Sequence, residues 1–205
     1  MSQITSAIRS VLSHPLLYNL FQTLMGAHKA RTKLAQDFVT FKEGMTILDI
    51  GCGTGEILSY LPENISYYGF DISEEYIDHA KKKYGNRGKF FCQYLQSEDL
   101  KELPKFDAVI GIGILHHLSD EDAKKFMELS FKALKPGGHV LTRDPCYVDG
   151  QNFLAKFLVS KDRGQHVRRE KEYLSLAQSF FKKKTPYVTH QKWIPYTHFT
   201  LVCRK

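Results

Sequence analysis

No stretch of this chain approaches the roughly 18 consecutive apolar residues that a membrane-spanning helix requires. The mildly apolar segment from Val11 to Met25 is broken by Ser13-His14-Pro15 and Asn19, and no small-residue cleavage pattern follows it. The expectation from both absences is a soluble, cytoplasmic protein with neither a transmembrane helix nor a secretory leader. Cysteine is sparse: Cys52, Cys92, Cys146 and Cys203 show no CxxC spacing and no nearby histidine cluster, which argues against zinc or any other metal and fits reduced thiols. Internal repeats, low-complexity tracts and linkers are also lacking, so the 205 residues are expected to form one domain.

What is present is ordinary for a globular protein, with 42% hydrophobic and 25% charged residues. The formal charge of +7 admits an acidic partner such as RNA or an anionic membrane surface. The basic clusters Lys81-Lys82-Lys83, Lys124-Lys125 and Lys182-Lys183-Lys184 fall in separate predicted helices or helix ends, however, where solvated faces explain them. DNA is not expected as a partner, and RNA is the less favoured one.

Apolar spacing predicts helices over residues 3–12 and 15–39, with Pro15 suited to a helix start. Thr46 to Ile50 then reads as a short buried strand opening into a glycine-rich turn. Helices and strands alternate from there: helix 56–61, strand 66–70, helix 74–84, strands 89–92 and 106–111, helix 121–134, strand 139–143. Such alternation implies parallel pairing through right-handed crossovers. Lys135-Pro136-Gly137-Gly138 reads as the turn between helix and strand. Beyond Pro145 come a loop, helices 152–160 and 170–181, and strands 187–191 and 196–203 joined by a link short enough to make them antiparallel. The organisation expected is therefore N-terminal helices over 1–43, a core over 44–145, an insertion over 146–186 and a terminal hairpin over 187–205.

The strand ending at Ile50 runs into Gly51-Cys52-Gly53-Thr54-Gly55, where glycines permit a tight turn and let a ligand lie against bare backbone. A dinucleotide fingerprint would place a third glycine where this chain has Glu56, and an acid at that helix start should repel a pyrophosphate. A cofactor without phosphates and with a cationic amino-acid end suits the site better. About twenty residues on, the second strand ends at Asp71, placed to accept hydrogen bonds from both ribose hydroxyls.

Ile47 to Gly55, Asp71, the run Phe106 to Gly111 leading into Leu115-His116-His117-Leu118, and Leu134-Lys135-Pro136-Gly137-Gly138 together resemble successive motifs of class I S-adenosylmethionine-dependent methyltransferases, over roughly residues 44–145. The resemblance implies a Rossmann-like α/β sandwich with a seven-stranded, mostly parallel sheet whose last strand is antiparallel, and N-terminal lid helices. It implies S-adenosyl-L-methionine as cofactor and S-adenosyl-L-homocysteine as product. By the same resemblance Asp49 and the backbone of Gly51, Cys52, Gly53 and Gly55 surround the methionine part, Asp71 with Ile72 holds the ribose, and Gly111-Ile112 lies beneath the methionine. One departure is visible: where family members often carry an acid after the third strand to hold the adenine amine, this chain reads Gln93-Tyr94-Leu95. Either Gln93 or Tyr94 with backbone groups replaces that contact, or Glu98 or Asp99 reaches in.

Methyl transfer from a sulfonium is an in-line displacement dominated by positioning, and a base is needed only when the acceptor must lose a proton. His116 and His117, after the fourth strand, are the candidate catalytic bases. Candidate substrate residues lie in the insertion: Tyr147, and Arg163 and Arg168 around Gly164, whose guanidinium groups suit carboxylate or phosphate. Asp162 reads there as a local partner for the arginines. Pro195-Tyr196-Thr197-His198 could reach the pocket or pack at the sheet edge, Tyr18, Asn19 and Gln22 could face the same cleft from the first long helix, and Lys29 or Arg31 could meet the cofactor carboxylate. The expected acceptor is a small molecule or lipid intermediate carrying an anionic group. RNA or protein methylation, or a non-catalytic cofactor-binding subunit, are the alternatives. Against RNA, no Asn/Asp-Pro-Pro-Tyr/Phe-like tetrad follows the fourth strand.

Overall fold

The computed structural model describes residues 38–191 and 195–205. The expected N-terminal helices lie outside the described residues up to residue 37, and with them the side chains proposed there. The described chain divides into two compact units, one ending at Leu95 and the other running from Gln96 to Lys205.

The first unit is built on three parallel strands, β1 (Thr46–Ile50), β2 (Ser66–Asp71) and β3 (Gly88–Cys92), with β2 in the middle. The centre of β1 is buried, as a strand covered on both faces requires. Helix α1 (Glu74–Tyr84) starts where Ser73 Oγ accepts from Tyr76 N at 3.4 Å. Its acids sit in the first turn and its lysines in the last, matching the helix dipole, and Ile77, Ala80 and Tyr84 form its buried stripe. The lysine triplet thus has a local structural reason. The helix expected over 56–61 is one tight turn, Glu56–Tyr60, stopped before Pro62.

In the second unit β4 (Phe106–Ile112) pairs in parallel with β5 (Leu134–Tyr147), and helix α2 (Asp120–Ala133) connects them. Ser119 caps α2, accepting from Asp122 N at 3.1 Å, and Ala123, Phe126, Met127, Ser130 and Ala133 face the interior. Helices α3 (Phe153–Ser160) and α4 (Glu170–Leu176) follow, with a two-residue strand β6 (Arg168–Arg169) between them paired to the end of β5. The last strand, β8 (Tyr196–Arg204), runs antiparallel both to β5 and to β7 (Lys183–Gln191). The expected antiparallel hairpin is therefore present, and the fold is Rossmann-like α/β with mostly parallel strands.

Strand β5 is much longer than expected. The Lys135 to Gly138 turn is retained as a bulge: Phe106 pairs with Leu134 but Ala108 with His139, so two steps along β4 oppose five along β5. Past Arg143 the strand continues because β8 and β6 both pair with it, at Pro145↔His198 and Cys146↔Arg168. That extension carries Asp144 and Tyr147 to the carboxyl end of the strand. Helix α4 ends five residues earlier than the apolar spacing suggests, at Leu176, where the Ser175 hydroxyl donates to Glu172 O at 2.7 Å and competes for backbone acceptors.

Candidate functional site

In the first unit, the loop after β1 places Gly51, Gly53 and Gly55 at φ of 77°, 54° and 71°, so every second residue occupies the left-handed region that side chains with a Cβ avoid. Backbone bonds from Gly51 N and Cys52 N to Phe70 O, at 2.8 and 3.0 Å, pin the loop to the end of β2. Asp71 completes the tie. Its Oδ2 accepts from Gly53 N and its Oδ1 from Ser73 N, both at 2.9 Å. Ile72 N–H also acts on this carboxylate, and its four lone-pair sites still leave room for a further donor. Burial raises the Asp71 pKa despite these backbone bonds.

Among the described residues no heavy atom lies within 4 Å of where a Cβ of Gly53 would stand. Beyond Asp71, Ile72 and Tyr94 expose large apolar surfaces, Tyr94 at 50%, while Leu95 is buried and Gln93 exposed. An open backbone cradle, a carboxylate with lone pairs to spare and two uncovered apolar side chains fit a nucleoside. Asp49 is almost wholly buried and accepts from Tyr67 Oη at 2.6 Å. Burial, then the charges of Asp49 and Asp71, push the Cys52 thiol well above its ordinary pKa, so it stays protonated.

Glu56 requires a correction. Its side chain pairs with Lys83 at 2.8 Å and accepts from Tyr84 Oη at 3.3 Å. A neutralised acid repels a phosphate little, so the missing third glycine, rather than charge, is the part of the argument against a dinucleotide that survives.

In the second unit, Gly111 lies under Phe126: a Cβ there would stand 2.5 Å from the ring. Its smallness seats α2 against β4. Ile112 ends the strand, and Gly113 turns the chain at φ 68° with its N–H on Arg143 O at 2.8 Å.

His116 is buried between two carboxylates. Its Nδ1 lies 2.8 Å from Asp144 Oδ1 and its Nε2 lies 3.1 Å from Asp162 Oδ1. Burial alone would favour the neutral ring, but the hydrogen bonds to Asp144 and Asp162 override it and raise the pKa to about 9. Asp162 is held in turn by Tyr196 Oη at 2.5 Å and by Gly164 N at 2.8 Å, and His166 N donates to His116 O at 2.9 Å. Against the cost of burial, His116, Tyr196 and the Gly164 N–H keep the Asp162 carboxyl well below its usual range. With a carboxylate on each ring nitrogen and His166 N on its carbonyl, His116 ties the 162–166 loop to the turn after β4, an arrangement that leaves its imidazolium no lone pair with which to accept a proton. Asp162 serves that lock rather than the neighbouring arginines.

His117 differs. Its ring centroid is 4.1 Å from that of His116, and burial, followed by the His116 charge, lowers its pKa to about 4. It is a neutral imidazole whose buried Nδ1 has no hydrogen-bond partner among the described residues. Tyr147 and Arg163 join the same cluster: Asp162 acts on Tyr147, whose pKa is raised mainly by burial, and Arg163 acts on His117. Of the residues expected to meet substrate, Arg168 stands apart. Its guanidinium donates to Asp120 Oδ1 from Nε and Nη2, to Leu115 O and His166 O from Nη1, and to Leu118 O from Nη2, at 2.7 to 3.1 Å. All five N–H groups are committed within the protein, so Arg168 straps the histidine turn in place and offers nothing to a ligand. Arg168→Lys is expected to cost about 2 kcal/mol, because an ammonium cannot reach three carbonyls and a carboxylate together; a chemical-denaturation midpoint equal to that of the parent would contradict the assignment.

Comparison with known proteins finds methyltransferases on both the sequence and the fold side. A methyltransferase-domain profile matches residues 48–140. The chain is 28% identical over 138 residues to a phosphoethanolamine N-methyltransferase of Plasmodium falciparum, covering 64% of this chain and 50% of that one. It is 38% identical over 114 residues to a tRNA (carboxymethyluridine(34)-5-O)-methyltransferase of Arabidopsis thaliana, covering 53% of this chain and 26% of that protein. The N-methyltransferase NodS of Bradyrhizobium japonicum, solved with S-adenosyl-L-homocysteine, superposes with a TM-score of 0.63 at 14% identity over 88% of this chain and 86% of its own. The matched segment is similar to methyltransferase domains, and the chain spans half or less of the length of the first curated relatives it matches. No helix among the described residues is long and apolar enough to cross a membrane.

Proposed function

We propose that this chain, as a single methyltransferase domain, transfers a methyl group from S-adenosyl-L-methionine to a small-molecule or lipid-like acceptor in the cytoplasm. The observation that carries the reading is Asp71, tied across the glycine loop through Gly53 N with acceptor capacity to spare. The cofactor supplies a methyl already activated on a sulfonium. The chain's own work is then positioning: Asp71 holds the ribose, and Ile72 and Tyr94 cover the base in place of the missing acid.

On the acceptor side, the lock on His116 leaves His117 as the imidazole able to contact a substrate. A neutral ring with a pKa near 4 is a weak base. It suits a nucleophile that arrives without a proton to lose, such as a neutral amine or a carboxylate. A lipid-like acceptor is supported by α3, where Phe153 is 83% exposed and Leu154 and Phe157 are also uncovered. The test is calorimetry with S-adenosyl-L-methionine, followed by a cofactor-consumption screen over amines, carboxylates, phenols and lipid phosphates. Binding and turnover of one class are expected. Folded protein that fails to bind the cofactor would remove the reading, and RNA binding that weakens steeply with salt would transfer it to the RNA class.

A further inference from the structure

Arg143 sits on β5 beside β8 and has no carboxylate partner among the described ion pairs. Its Nη1 donates to Thr200 Oγ1 across the strand pair at 3.2 Å, and that is the one hydrogen bond its guanidinium makes among the described residues. Its neighbour Asp144 cannot serve, because alternation turns Asp144 to the opposite face, where it holds His116. Arg143 is only partly exposed, and burial lowers its pKa to about 10 against the opposing charge of Asp144. A half-buried guanidinium without a counter-charge is costly to maintain unless something pairs with it.

The surroundings of Arg143 are those of an oxyanion site. Register places Thr200, His198 and Tyr196 of β8 on the same face as Arg143, Pro145 and Tyr147 of β5, with Thr189 of β7 opposite His198. Two polar atoms on that face are buried and, among the described residues, unpartnered: His198 Nδ1 and Thr189 Oγ1. Burial first, and the nearby Arg143 charge second, lower the His198 pKa to about 3, so its ring is neutral. Orphaned polar atoms beside an uncompensated cation are matched by one ligand chemistry, a compact group of anionic oxygens that accepts from the guanidinium fork and from a hydroxyl or imidazole at once.

We infer that Arg143, His198 and Thr189 form the subsite that holds an oxyanion of the methyl acceptor, a phosphate group above all. The inference rests on the methyltransferase reading and specifies its acceptor. It also moves the anion contact from Arg168, which is committed to the protein, to an arginine on β5. A free monoester and a lipid headgroup both present such a phosphate, and the fork reads both alike.

The test is an NMR titration of the full chain, labelled in its histidine rings, with inorganic phosphate, with and without S-adenosyl-L-homocysteine. The His198 signal is assigned by its loss in His198→Gln. It is expected to move saturably at millimolar phosphate. Arg143→Met should weaken that response by about tenfold or more and Arg143→Lys by less, since charge remains but the fork is lost. Affinity for S-adenosyl-L-homocysteine, measured by calorimetry on the same samples, should stay within about twofold of the parent, because the ribose contact is Asp71. Glycerol 3-phosphate and dihexanoyl phosphatidic acid then compete as free and lipid arms, and the stronger competitor identifies the source. No saturable movement in the parent chain, movement that survives Arg143→Met, or displacement by neither competitor would overturn the subsite. Loss of cofactor binding in the parent chain, by contrast, would remove the methyltransferase reading and leave the phosphate response standing.

Discussion

Asp71→Ala is expected to weaken S-adenosyl-L-methionine binding by on the order of a hundredfold, a loss of roughly 3 kcal/mol or more, since a carboxylate accepting from two hydroxyls makes two charge-assisted bonds worth about 1.5–3 kcal/mol each. The geometry adds a second contribution. Asp71 Oδ2 also receives Gly53 N at 2.9 Å, so its removal leaves an N–H of the glycine loop without its partner and loosens the backbone on which the cofactor lies. Asp71→Asn separates the two effects. The amide keeps one oxygen acceptor but loses the charge, and an intermediate loss of about tenfold is expected. Burial raises the Asp71 pKa, so binding should also fall on acidification sooner than an ordinary aspartate would dictate. Calorimetry on folded variants is the measurement. Alanine binding within threefold of the parent would show that the ribose is held elsewhere.

The cofactor half of this protein was legible because its chemistry is local. Gly51, Gly53 and Gly55 declare a backbone that must turn left at every second step, and Asp71 declares a strand end; both are properties of short windows, and the loop-to-strand bond joins them. The lengths of helices and strands were legible to the same degree where caps are written into the chain, as at Ser73 and Ser119. The acceptor half was hidden because its residues act over distance. His116 looks like a base until Asp144, 28 residues away, and Asp162 are seen on its two nitrogens. Arg168 looks like a phosphate ligand until three backbone carbonyls are found in its fork. Asp162, beside Arg163, looks locally paired, and nothing in its neighbourhood announces Tyr196, 34 residues on. Arg143 and His198 were obscured for the same reason, since the long extension of β5 and the register with β8 that align them are set by pairing rather than by periodicity. The sequence does hold the parts of the lock, Asp144 just before the insertion, Asp162 within it and His116 after the fourth strand, but no spacing links them.

That lock predicts the pH dependence of stability. His116 has a pKa of about 9 in the folded chain and about 6.5 when unfolded, so its contribution is fully present below pH 6.5 and is lost as pH rises through about 9. The shift corresponds to on the order of 3 kcal/mol. Competing titrations lie outside this window. His117, His139 and His198 are held neutral, with pKa values lowered to about 4, 4 and 3, and their effects appear only on acidification below pH 6.5. Asp162, held well below its ordinary value, acts in acid as well, where its contribution is lost as pH falls. Cys146 and Cys203, raised by burial to about 12, act only above the ordinary thiol range. The alkaline limb between pH 6.5 and 9 therefore belongs to His116 among these groups. Denaturant midpoints at half-unit pH steps should fall across that limb in the parent chain and stay nearly flat in His116→Gln, which is expected to be the less stable protein at pH 6 and to converge on the parent near pH 9. A limb of equal slope in both proteins would place the proton elsewhere and return His116 to the list of possible bases.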